Sequence, residues 1–353
     1  MYNKRPVVVA GPCSAETEEQ VLGIAHALKD QEVDLFRAGI WKPRTRPNSF
    51  EGVGSVGLKW LRRVKEETGL KTTTEVANKT HVEECLYHGV DTLWIGARTT
   101  VNPFSVQEIA DALKGVDIPV MIKNPINPDL GLWIGAIERI YKAGITKIGA
   151  IHRGFASYGE TYYRNKPMWQ IPIELKRRFP DLTIISDISH ICGRRDILQD
   201  VAQKALNLNY DGIMTEVHHN PDEAWSDAKQ QITPAQFKEL TDALHLRGIE
   251  MNKALSKAAL EDARSKIDKL DDQLLKILHE RMRLVDDIGN YKKQNDLPIL
   301  QPARWNEILD KSISKGTGKG LSEEFVGRLF RAVHQESINH QQKIMNGQAS
   351  HDD

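Results

Sequence analysis

The chain has 353 residues, enough for two domains with a sizeable core. Its 48 basic and 48 acidic residues leave no net charge, which argues against nucleic acid or an acidic membrane surface as a partner. No apolar run approaches the roughly 18 residues of a membrane span, and no basic-then-apolar leader opens the chain. Three cysteines without zinc-type spacing suit a reducing compartment, so we expect a cytoplasmic protein.

Short apolar strands alternate with amphipathic helices through about the first 245 residues. The predicted strands are Val7–Ala10, Leu35–Ala38, Lys71–Glu75, Thr92–Gly96, Val120–Lys123, Lys147–His152, Thr183–Asp187 and Ile213–Val217. The predicted helices are Thr17–Lys29, Val56–Thr68, Val82–His88, Ser105–Leu113, Leu132–Lys142, Trp169–Phe179, Arg195–Leu208 and Pro234–Leu246. Eight such units favour an α/β fold, a closed (β/α)8 TIM barrel, over an open doubly wound sheet.

The pattern becomes purely helical after Gly248. Apolar residues recur with a helical period from Ala258 to Lys293, and two further helices are predicted at Ala303–Ser314 and Glu323–Met345. A glycine-rich loop, Lys315–Gly320, is predicted to connect them. We therefore expect a barrel domain over residues 1–250, a linker over 251–257 and a separate all-α domain of three helices over 258–353.

Charged side chains gather where the predicted strands end. The active site of a barrel lies at the carboxyl ends of its strands. Six cations stand at or just beyond these ends: Arg37, Lys42, Arg44, Arg98, Lys123 and Arg153. Unpaired cations in one cleft repel each other, so the set predicts an anionic substrate with phosphate or carboxylate groups, although any single member could be ordinary surface charge.

Four more residues at comparable positions offer metal ligands. They are Cys13, His190 in the stretch Asp187-Ile-Ser-His190, Glu216 and Asp227. A thiolate, an imidazole and two carboxylates admit Mn²⁺, Fe²⁺, Co²⁺, Zn²⁺ or Cu²⁺ and do not select one. A lone histidine at a strand end is more often structural, and Cys13 could instead be a nucleophile, although no partner for that role is suggested near it.

Two glycine-rich stretches match phosphate-binding motifs only in part. Gly52-Val-Gly-Ser-Val-Gly57 has the spacing of a dinucleotide fingerprint, but it does not follow the first strand of a unit. Lys315–Gly320 lacks both the P-loop spacing and a preceding strand. We therefore expect no nucleotide or organic cofactor.

The order of the strand-end motifs resembles a known family. The motifs are Gly11-Pro-Cys-Ser14, Arg37 with Lys42-Pro-Arg-Thr45, Ile95-Gly-Ala-Arg-Thr99, Ile122-Lys-Asn124, His152-Arg-Gly154, Asp187–His190, Met214-Thr-Glu216 and Ser226-Asp227. Over residues 1–245 this series is similar to 3-deoxy-D-arabino-heptulosonate 7-phosphate (DAHP) synthase of the shorter bacterial type I-beta subfamily. The resemblance implies a metal-dependent condensation of phosphoenolpyruvate with erythrose 4-phosphate, the first step of the shikimate pathway.

The resemblance also implies a role for each strand-end residue. It makes Cys13, His190, Glu216 and Asp227 the metal ligands, assigns phosphoenolpyruvate to Arg37, Lys42, Arg98, Lys123 and Arg153, and assigns the aldose phosphate to Lys42, Pro43, Arg44 and Thr45. Mn²⁺ is the expected ion and would act as a Lewis acid on the aldehyde. Lys42, alone or with a water, would protonate the developing alkoxide. The Lys-Pro-Arg-Thr stretch argues against the sister enzyme that makes an eight-carbon sugar acid phosphate.

The helical segment carries its own basic residues. Arg281 and Lys292 are 11 residues apart, on nearly one face and about 16 Å apart along the axis. Their side chains can converge on a small dianion, although a solvated helix face would also explain them. Arg264 lies 17 residues before Arg281, about 25 Å away, so one straight helix cannot bring it to the same ligand. A helix this long has little to pack against at its far end, and we expect a homodimer.

This segment resembles the all-helical chorismate mutase family over about residues 258–345. The matching positions are Arg264, Arg281, Lys292, Arg304, Ser337 and Gln341. The resemblance implies rearrangement of chorismate to prephenate without a cofactor, with one arginine of each site supplied by the partner protomer. Arg264 and Arg281 would bind the carboxylates, and Lys292 and Gln341 would donate to the ether oxygen. Trp305 departs from the family pattern, which usually has Glu after the arginine at this position.

Together these patterns predict a bifunctional enzyme of aromatic amino-acid biosynthesis, a transferase joined to an isomerase. Its substrates would be phosphoenolpyruvate, erythrose 4-phosphate and chorismate. Two alternatives stay open: a helical domain that regulates without catalysis, and a barrel that makes 3-deoxy-octulosonate 8-phosphate. Because an entry enzyme and a branch enzyme share one chain, we predict that prephenate or chorismate inhibits the first reaction.

Overall fold

The structure, a computed structural model, describes residues 5–43, 50–247 and 254–347, and the backbone alone over 254–259. The chain divides into two compact units, Met1–Gly248 and Ile249–Asp353. In the first unit eight parallel strands pair in chain order and close into a barrel. The predicted (β/α)8 barrel and the helical second unit are confirmed.

The described elements of the first unit alternate as predicted. The strands are β1 Val7–Gly11, β2 Leu35–Arg37, β3 Thr72–Val76, β4 Thr92–Ile95, β5 Val120–Lys123, β6 Ile148–His152, β7 Thr183–Asp187 and β8 Gly212–Glu216. The α-helices are α1 Glu18–Leu28, α2 Val56–Thr68, α3 Lys79–His88, α4 Ala97–Thr100, α5 Pro103–Ala112, α6 Leu130–Lys142, α7 Gln170–Arg178, α8 Ile188–Cys192, α9 Leu198–Asn207 and α10 Pro234–Asp242. Two 3₁₀ turns, Pro221–Glu223 and Ala228–Gln230, follow β8.

Alternation along each strand builds two layers of core. Val7 and Val9 belong to a cluster inside the barrel with Trp94 and Met214, whereas Val8 packs in the larger cluster between barrel and helices. The interior is therefore filled by side chains, as in other barrels of eight strands, and it is not a channel. In such barrels the active site lies at the carboxyl ends of the strands.

Two short helices at those ends were not predicted. α4 begins directly after β4 and carries Arg98, and α8 begins directly after β7 and carries His190. With four and five residues, neither is long enough to show a helical period in the sequence. Asp187 caps α8, because its side chain accepts a hydrogen bond from the main-chain nitrogen of His190.

The second unit contains three helices among its described residues: α11 Ala254–Gln294, α12 Pro302–Thr317 and α13 Glu323–Met345. α11 begins four residues before the predicted start, so residues 254–257 of the expected linker are helical. α12 likewise continues through the first three residues of the predicted Lys315–Gly320 loop. α13 packs on α11, where Gly289 lets Ile344 approach closely: a Cβ at 289 would lie 2.9 Å from it. None of the described helices could span a membrane.

Candidate functional site

The strand ends bring the predicted residues to one face of the barrel. Arg37 is the last residue of β2, Lys123 of β5 and Asp187 of β7. Glu216 ends β8 and pairs in register with the last residue of β1, which Cys13 follows by two positions. Parallel pairing therefore gathers residues that are up to about 200 positions apart in the sequence.

Three of the predicted metal ligands form one cluster. Cys13, Glu216 and Asp227 each offer a ligand atom within 4.8 Å of the other two. The thiol of Cys13 donates to Asp227 Oδ2 at 3.3 Å. Glu216 Oε1 is buried without a hydrogen-bond partner among the described residues, although Arg37 Nη2 lies 3.1 Å away without hydrogen-bond alignment. A buried carboxylate oxygen of this kind is suited to a cation.

His190 lies beside this cluster and is oriented by Asp187. Its Nδ1 is 2.9 Å from Asp187 Oδ2, its Nε2 is 3.9 Å from Asp227 Oδ2, and its Nδ1 is 3.6 Å from Glu216 Oε1. A carboxylate on Nδ1 fixes the tautomer that leaves Nε2 available as a ligand, an arrangement common at metal-binding histidines. Burial lowers the pKa of His190, with Asp187 and Glu216 acting in the opposite direction, which favours the neutral ring that a metal requires.

The chemistry of the donor set fits a divalent transition metal. Sulfur, imidazole nitrogen and carboxylate oxygen donors face one another at the rim of the barrel, the face formed by the carboxyl ends of its strands. Burial, with Glu216 nearby, raises the pKa of Cys13 to about 12, so the free thiol stays protonated at neutral pH. A bound metal deprotonates a coordinating thiol. We therefore expect Cys13 to become a thiolate only when a cation is bound beside it.

Buried cations surround the cluster. Arg37 is 1% exposed, and its Nε and Nη1 have no partner among the described residues. Lys123 Nζ lies 2.7 Å from Asp187 Oδ2. Both cations lie against the ring of Trp94, at 5.2 and 5.5 Å from its centroid. Buried guanidinium donors without partners are costly, so Arg37 is suited to an anionic ligand.

Arg153 and Arg98 extend the basic surface. Arg153 is held by Asn124 Oδ1, which accepts from its main-chain nitrogen at 2.7 Å, and by Asn165 Oδ1, which accepts from Nη1 at 2.6 Å. Burial lowers the pKa of Arg153 to about 10, and the nearby charges of Arg164 and Arg98 act in the same direction. Arg98 itself is exposed on α4. Mutual repulsion among these arginines again favours an anion.

Lys42 reaches into the metal cluster. Its Nζ donates to Cys13 O at 3.0 Å and lies 2.9 Å from Cys13 Sγ. Burial opposes its charge, but Cys13 and Glu216 raise the pKa of Lys42 above its usual value. Pro43 follows it in the described chain, whereas the predicted Arg44 and Thr45 lie outside the described residues.

Several residues of the rim were not predicted from the sequence. Arg164 Nη2 pairs with Asp227 Oδ1 at 3.0 Å, and Gln230 Nε2 donates to Glu216 Oε2 at 2.6 Å. Gln231 Oε1 accepts from the main-chain nitrogen of Cys13 at 3.0 Å. Arg164 lies in the irregular segment between β6 and α7, and the glutamines lie at a 3₁₀ turn, where no periodic pattern distinguishes them. The one feature of the sequence that could have indicated them is the pair of adjacent glutamines, Gln230 and Gln231, shortly after Asp227.

In the second unit, part of the predicted site comes together. Arg281 Nη1 donates to Ser337 Oγ at 2.6 Å, and Gln341 Nε2 donates to Ser337 O at 3.3 Å. Gln341 Oε1 is buried without a partner among the described residues. Lys292 is 7% exposed, and its Nζ donates to Ile299 O at 2.5 Å. Burial lowers the pKa of both Arg281 and Lys292, as expected for cations awaiting an anion.

Two predicted members of that site are exposed and paired locally in the single chain. Arg264 is 59% exposed and pairs with Glu261, and Arg304 is 62% exposed and pairs with Glu307. Trp305, where the family usually has Glu, stacks on His334 with 3.9 Å between ring centroids. Burial, with Arg281 and Lys292 nearby, lowers the pKa of His334, so this aromatic pair adjoins the site.

A TIM barrel whose strand ends combine candidate metal ligands with buried cations is typical of enzymes that act on anionic substrates. Comparison with known proteins agrees. The family model for the DAHP synthetase I family matches residues 2–252, and that for chorismate mutase type II matches residues 263–342. The phospho-2-dehydro-3-deoxyheptonate aldolase of Thermotoga maritima is 32% identical over 237 residues, which cover 67% of this chain and 68% of that protein.

Solved structures and a second class of relative complete the comparison. The crystal structure of the Thermotoga maritima DAHP synthase matches with a TM-score of 0.59 and 30% identity, covering 67% of each chain. A truncated form of that synthase gives a TM-score of 0.58 at 29% identity, covering 67% of this chain and 84% of that one. The 2-dehydro-3-deoxyphosphooctonate aldolase of Vesicomyosocius okutanii is 28% identical and covers 67% of this chain and 88% of that protein.

The chain therefore belongs to the DAHP synthetase I family. It carries a DAHP synthase domain, which is a transferase, followed by a chorismate mutase domain, which is an isomerase. This combination supports a bifunctional role in the shikimate pathway.

Proposed function

We propose that the barrel condenses phosphoenolpyruvate with erythrose 4-phosphate and consumes one water molecule to give DAHP and inorganic phosphate, with a divalent metal. One observation carries the proposal: Cys13, Glu216 and Asp227 form a cluster of metal-ligand atoms within 4.8 Å of one another at a rim lined by buried cations. The buried cations would bind the phosphate groups of the two substrates, and the metal ligands would hold the metal next to them. When bound, the metal would act as a Lewis acid on the aldehyde of the aldose.

The chain's own residues would hold and protonate the substrates. Two donors of Arg37 have no partner among the described residues, and together with Lys123 and Arg153 they suit the phosphate and carboxylate of phosphoenolpyruvate. Holding both substrates at the rim orients the enol carbon toward the aldehyde carbon. The pKa of Lys42 is raised above its usual value despite burial, with the Glu216 carboxylate among the causes. Lys42 therefore keeps its proton and could deliver it to the new alkoxide.

A metal-add-back assay with two aldoses tests this proposal. The metal-free protein should be inactive, and Mn²⁺ should restore phosphate release from phosphoenolpyruvate with erythrose 4-phosphate. Relatives named 2-dehydro-3-deoxyphosphooctonate aldolases make arabinose 5-phosphate the second candidate substrate. Turnover with arabinose 5-phosphate alone would overturn the proposed substrate, and full activity without any metal would overturn the metal requirement.

We propose that the helical unit converts chorismate to prephenate. Two cations support an anion site in this unit: Arg281, which donates to Ser337 Oγ, and Lys292, which is buried. Arg281 would bind a carboxylate, and Lys292 and Gln341 would donate to the ether oxygen as its bond to carbon breaks. Lack of chorismate turnover by the intact chain would leave this unit a regulatory role.

We further propose that α11 pairs with α11 of a second copy. Ile267, Leu270, Leu274 and Ile277 are 46–61% exposed and recur at helical spacing. Four large apolar side chains along one face are too many for a solvated helix, and a second copy would cover them. Dimerisation would also bring Arg264 of the partner toward a site that its own chain leaves without it.

Fusion of the two units suggests control of the first reaction by the product of the second. Prephenate or chorismate held by Arg281 would reduce condensation if the occupied helical unit favours a less active state of the barrel.

The unpaired state of all three cysteines fits the reducing cytoplasm, where we place both reactions.

A further inference from the structure

Both carboxylates of the candidate metal cluster have one oxygen anchored and one oxygen turned inward. Asp227 Oδ1 pairs with Arg164 Nη2 at 3.0 Å, while its Oδ2 accepts from Cys13 and lies 3.9 Å from His190 Nε2. Glu216 Oε2 accepts from Gln230 Nε2 at 2.6 Å, while its Oε1 has no hydrogen-bond partner among the described residues and lies 3.1 Å from Arg37 Nη2. The division between outer and inner oxygens is the same in both side chains.

The two anchors are themselves joined. Arg164 Nη1 donates to Gln230 Oε1 at 2.5 Å, so Glu216, Gln230, Arg164 and Asp227 form one continuous chain of contacts. Gln230 is 1% exposed, and its amide uses its oxygen on Arg164 and its nitrogen on Glu216. An amide that accepts on one side and donates on the other has only one orientation here, because the flipped amide would place two acceptors together.

The backbone holds this chain of contacts in place. The main-chain nitrogen of Arg164 donates to Cys192 O at 3.2 Å. A Cβ at Gly193, whose φ is +68°, would lie 2.4 Å from Arg164 Cβ, so only glycine leaves room for this side chain. Asp227 has φ +51°, in the left-handed region that costs about 1 kcal/mol or more for a residue with a side chain. A strained backbone that presents a charged side chain is typical of a functional position.

We propose that Arg164 and Gln230 form a carboxylate clamp that positions Glu216 and Asp227 for metal binding. The clamp occupies the outer oxygen of each carboxylate and leaves one inner oxygen of each for a cation beside Cys13. Arg164 and Gln230 are positioning residues, since neither offers the cation a ligand of its own. The inference rests on the proposed metal dependence of the barrel.

The test measures metal affinity directly in the full-length protein. Co²⁺ is titrated into the metal-free protein by calorimetry, and the Co²⁺–thiolate charge-transfer band is recorded to report on binding by Cys13. Arg164→Met and Gln230→Leu should each weaken Co²⁺ binding about 10- to 100-fold, as is typical when groups that orient metal ligands are removed. The double variant should lose less than the product of the two single losses, because the two residues act through one chain of contacts.

Arg195→Met is the matched control. Arg195 holds the same segment through Gln231 O at 2.7 Å and Ala228 O at 2.9 Å, but it contacts none of the candidate ligands. It should bind Co²⁺ as tightly as wild type. If Arg195→Met weakens binding as much as Arg164→Met, the clamp is only a structural brace, and the proposal is overturned.

The remaining outcomes are also decisive. Arg164→Lys keeps a positive charge beside Asp227 but loses the planar fork, so its affinity should fall between wild type and Arg164→Met. Thermal unfolding of each metal-free variant identifies any that fail to fold, and Arg164→Lys then carries the test. Wild-type affinity in both Arg164→Met and Gln230→Leu overturns the clamp alone. Absence of Co²⁺ binding by wild type overturns the clamp together with the proposed metal dependence.

Discussion

Asp187 Oδ2 lies 2.9 Å from His190 Nδ1 and also accepts from Lys123 Nζ at 2.7 Å. One carboxylate oxygen therefore joins a candidate metal ligand to a candidate phosphoenolpyruvate cation. Against burial, the charges of His190 and Lys123 hold the pKa of Asp187 well below its usual range. Metal binding and phosphoenolpyruvate binding should consequently be sensitive to the same side chain.

Asp187→Asn tests that connection. Asparagine keeps the size of the side chain and can still cap α8, but it removes the charge shared by His190 and Lys123. We expect metal affinity to fall about 10-fold or more and KM for phosphoenolpyruvate to rise. Calorimetric metal titration and steady-state kinetics measure the two effects. Chorismate turnover in the same protein serves as the internal control, and a variant that changes neither metal affinity nor KM would contradict this role.

Cys13→Ala and His190→Ala should abolish metal-dependent condensation. Each removes a proposed ligand outright, so the loss should exceed the roughly 10- to 100-fold effect typical of groups that only orient ligands. Phosphate release in the presence of added Mn²⁺ is the measurement. Cys85→Ala is a matched control, because Cys85 is a second buried free thiol that belongs to the helix-facing core. Retention of full activity by Cys13→Ala would rule out the proposed thiolate ligand.

A mixture of two inactive variants tests whether the mutase site is shared between protomers. Arg264→Ala and Arg281→Ala should each lose chorismate turnover. If Arg264 comes from the partner, a mixed dimer contains one site with both arginines, and random mixing should restore about a quarter of the sites. Chorismate turnover before and after subunit exchange is the readout. If subunits exchange but chorismate turnover does not recover, Arg264 does not act across a dimer.

Feedback is tested with Arg281→Ala in the full-length chain. Prephenate should inhibit condensation by wild type and lose this effect in Arg281→Ala, because the variant lacks the proposed carboxylate contact. By linkage, substrates of the barrel should shift prephenate affinity by the same factor that prephenate shifts theirs. Arg283→Ala, at an exposed position on the same helix, is the matched control. Equal inhibition of all three proteins would show that the helical site does not mediate control.

The sequence predicts the strands better than it predicts the rim. Buried strands such as Val120–Lys123 have continuous apolar runs between turn signals, and this strand was predicted with both of its bounds correct. Cys13 and Glu216 could be grouped because they lie at the ends of neighbouring parallel strands, which end together. Asp227 lies 11 residues beyond β8, and the structure brings it to the same cluster. The order of the motifs along the chain then indicated the family.

What the sequence could not reveal depends on contacts without local periodicity. Arg164 and Gln230 lie in irregular segments 66 residues apart, and only the closed barrel brings them into contact. α8 is too short to show a pattern, so its dependence on the Asp187 cap was visible only in three dimensions. The separation of Arg264 from Arg281 was predicted, because helix geometry alone determines it.

His152 provides the last prediction, a pH dependence of stability that is separate from the metal ligands. The ring is buried at the end of β6, donates from Nε2 to Pro167 O at 2.7 Å and accepts at Nδ1 from the hydroxyl of Tyr210 at 2.9 Å. Burial raises the pKa of Tyr210, which keeps its hydroxyl a donor. Burial lowers the pKa of His152 from 6.5 to about 3, so the folded protein holds a neutral, fully hydrogen-bonded ring.

Because the folded-state pKa is depressed, the unfolded chain takes up a proton at His152 before the folded protein does. The stabilisation is complete above the unfolded pKa near 6.5 and is lost as the pH falls toward 3. His152→Gln removes this titration while keeping an amide donor for Pro167 O. The stability advantage of wild type over the variant should therefore shrink by about 1.4 kcal/mol between about pH 7.5 and pH 5.5. Urea unfolding followed by tryptophan fluorescence measures it, since six of the seven tryptophans lie in the barrel. An advantage that stays constant over this range would mean that His152 is already protonated in the folded state or titrates equally in both states.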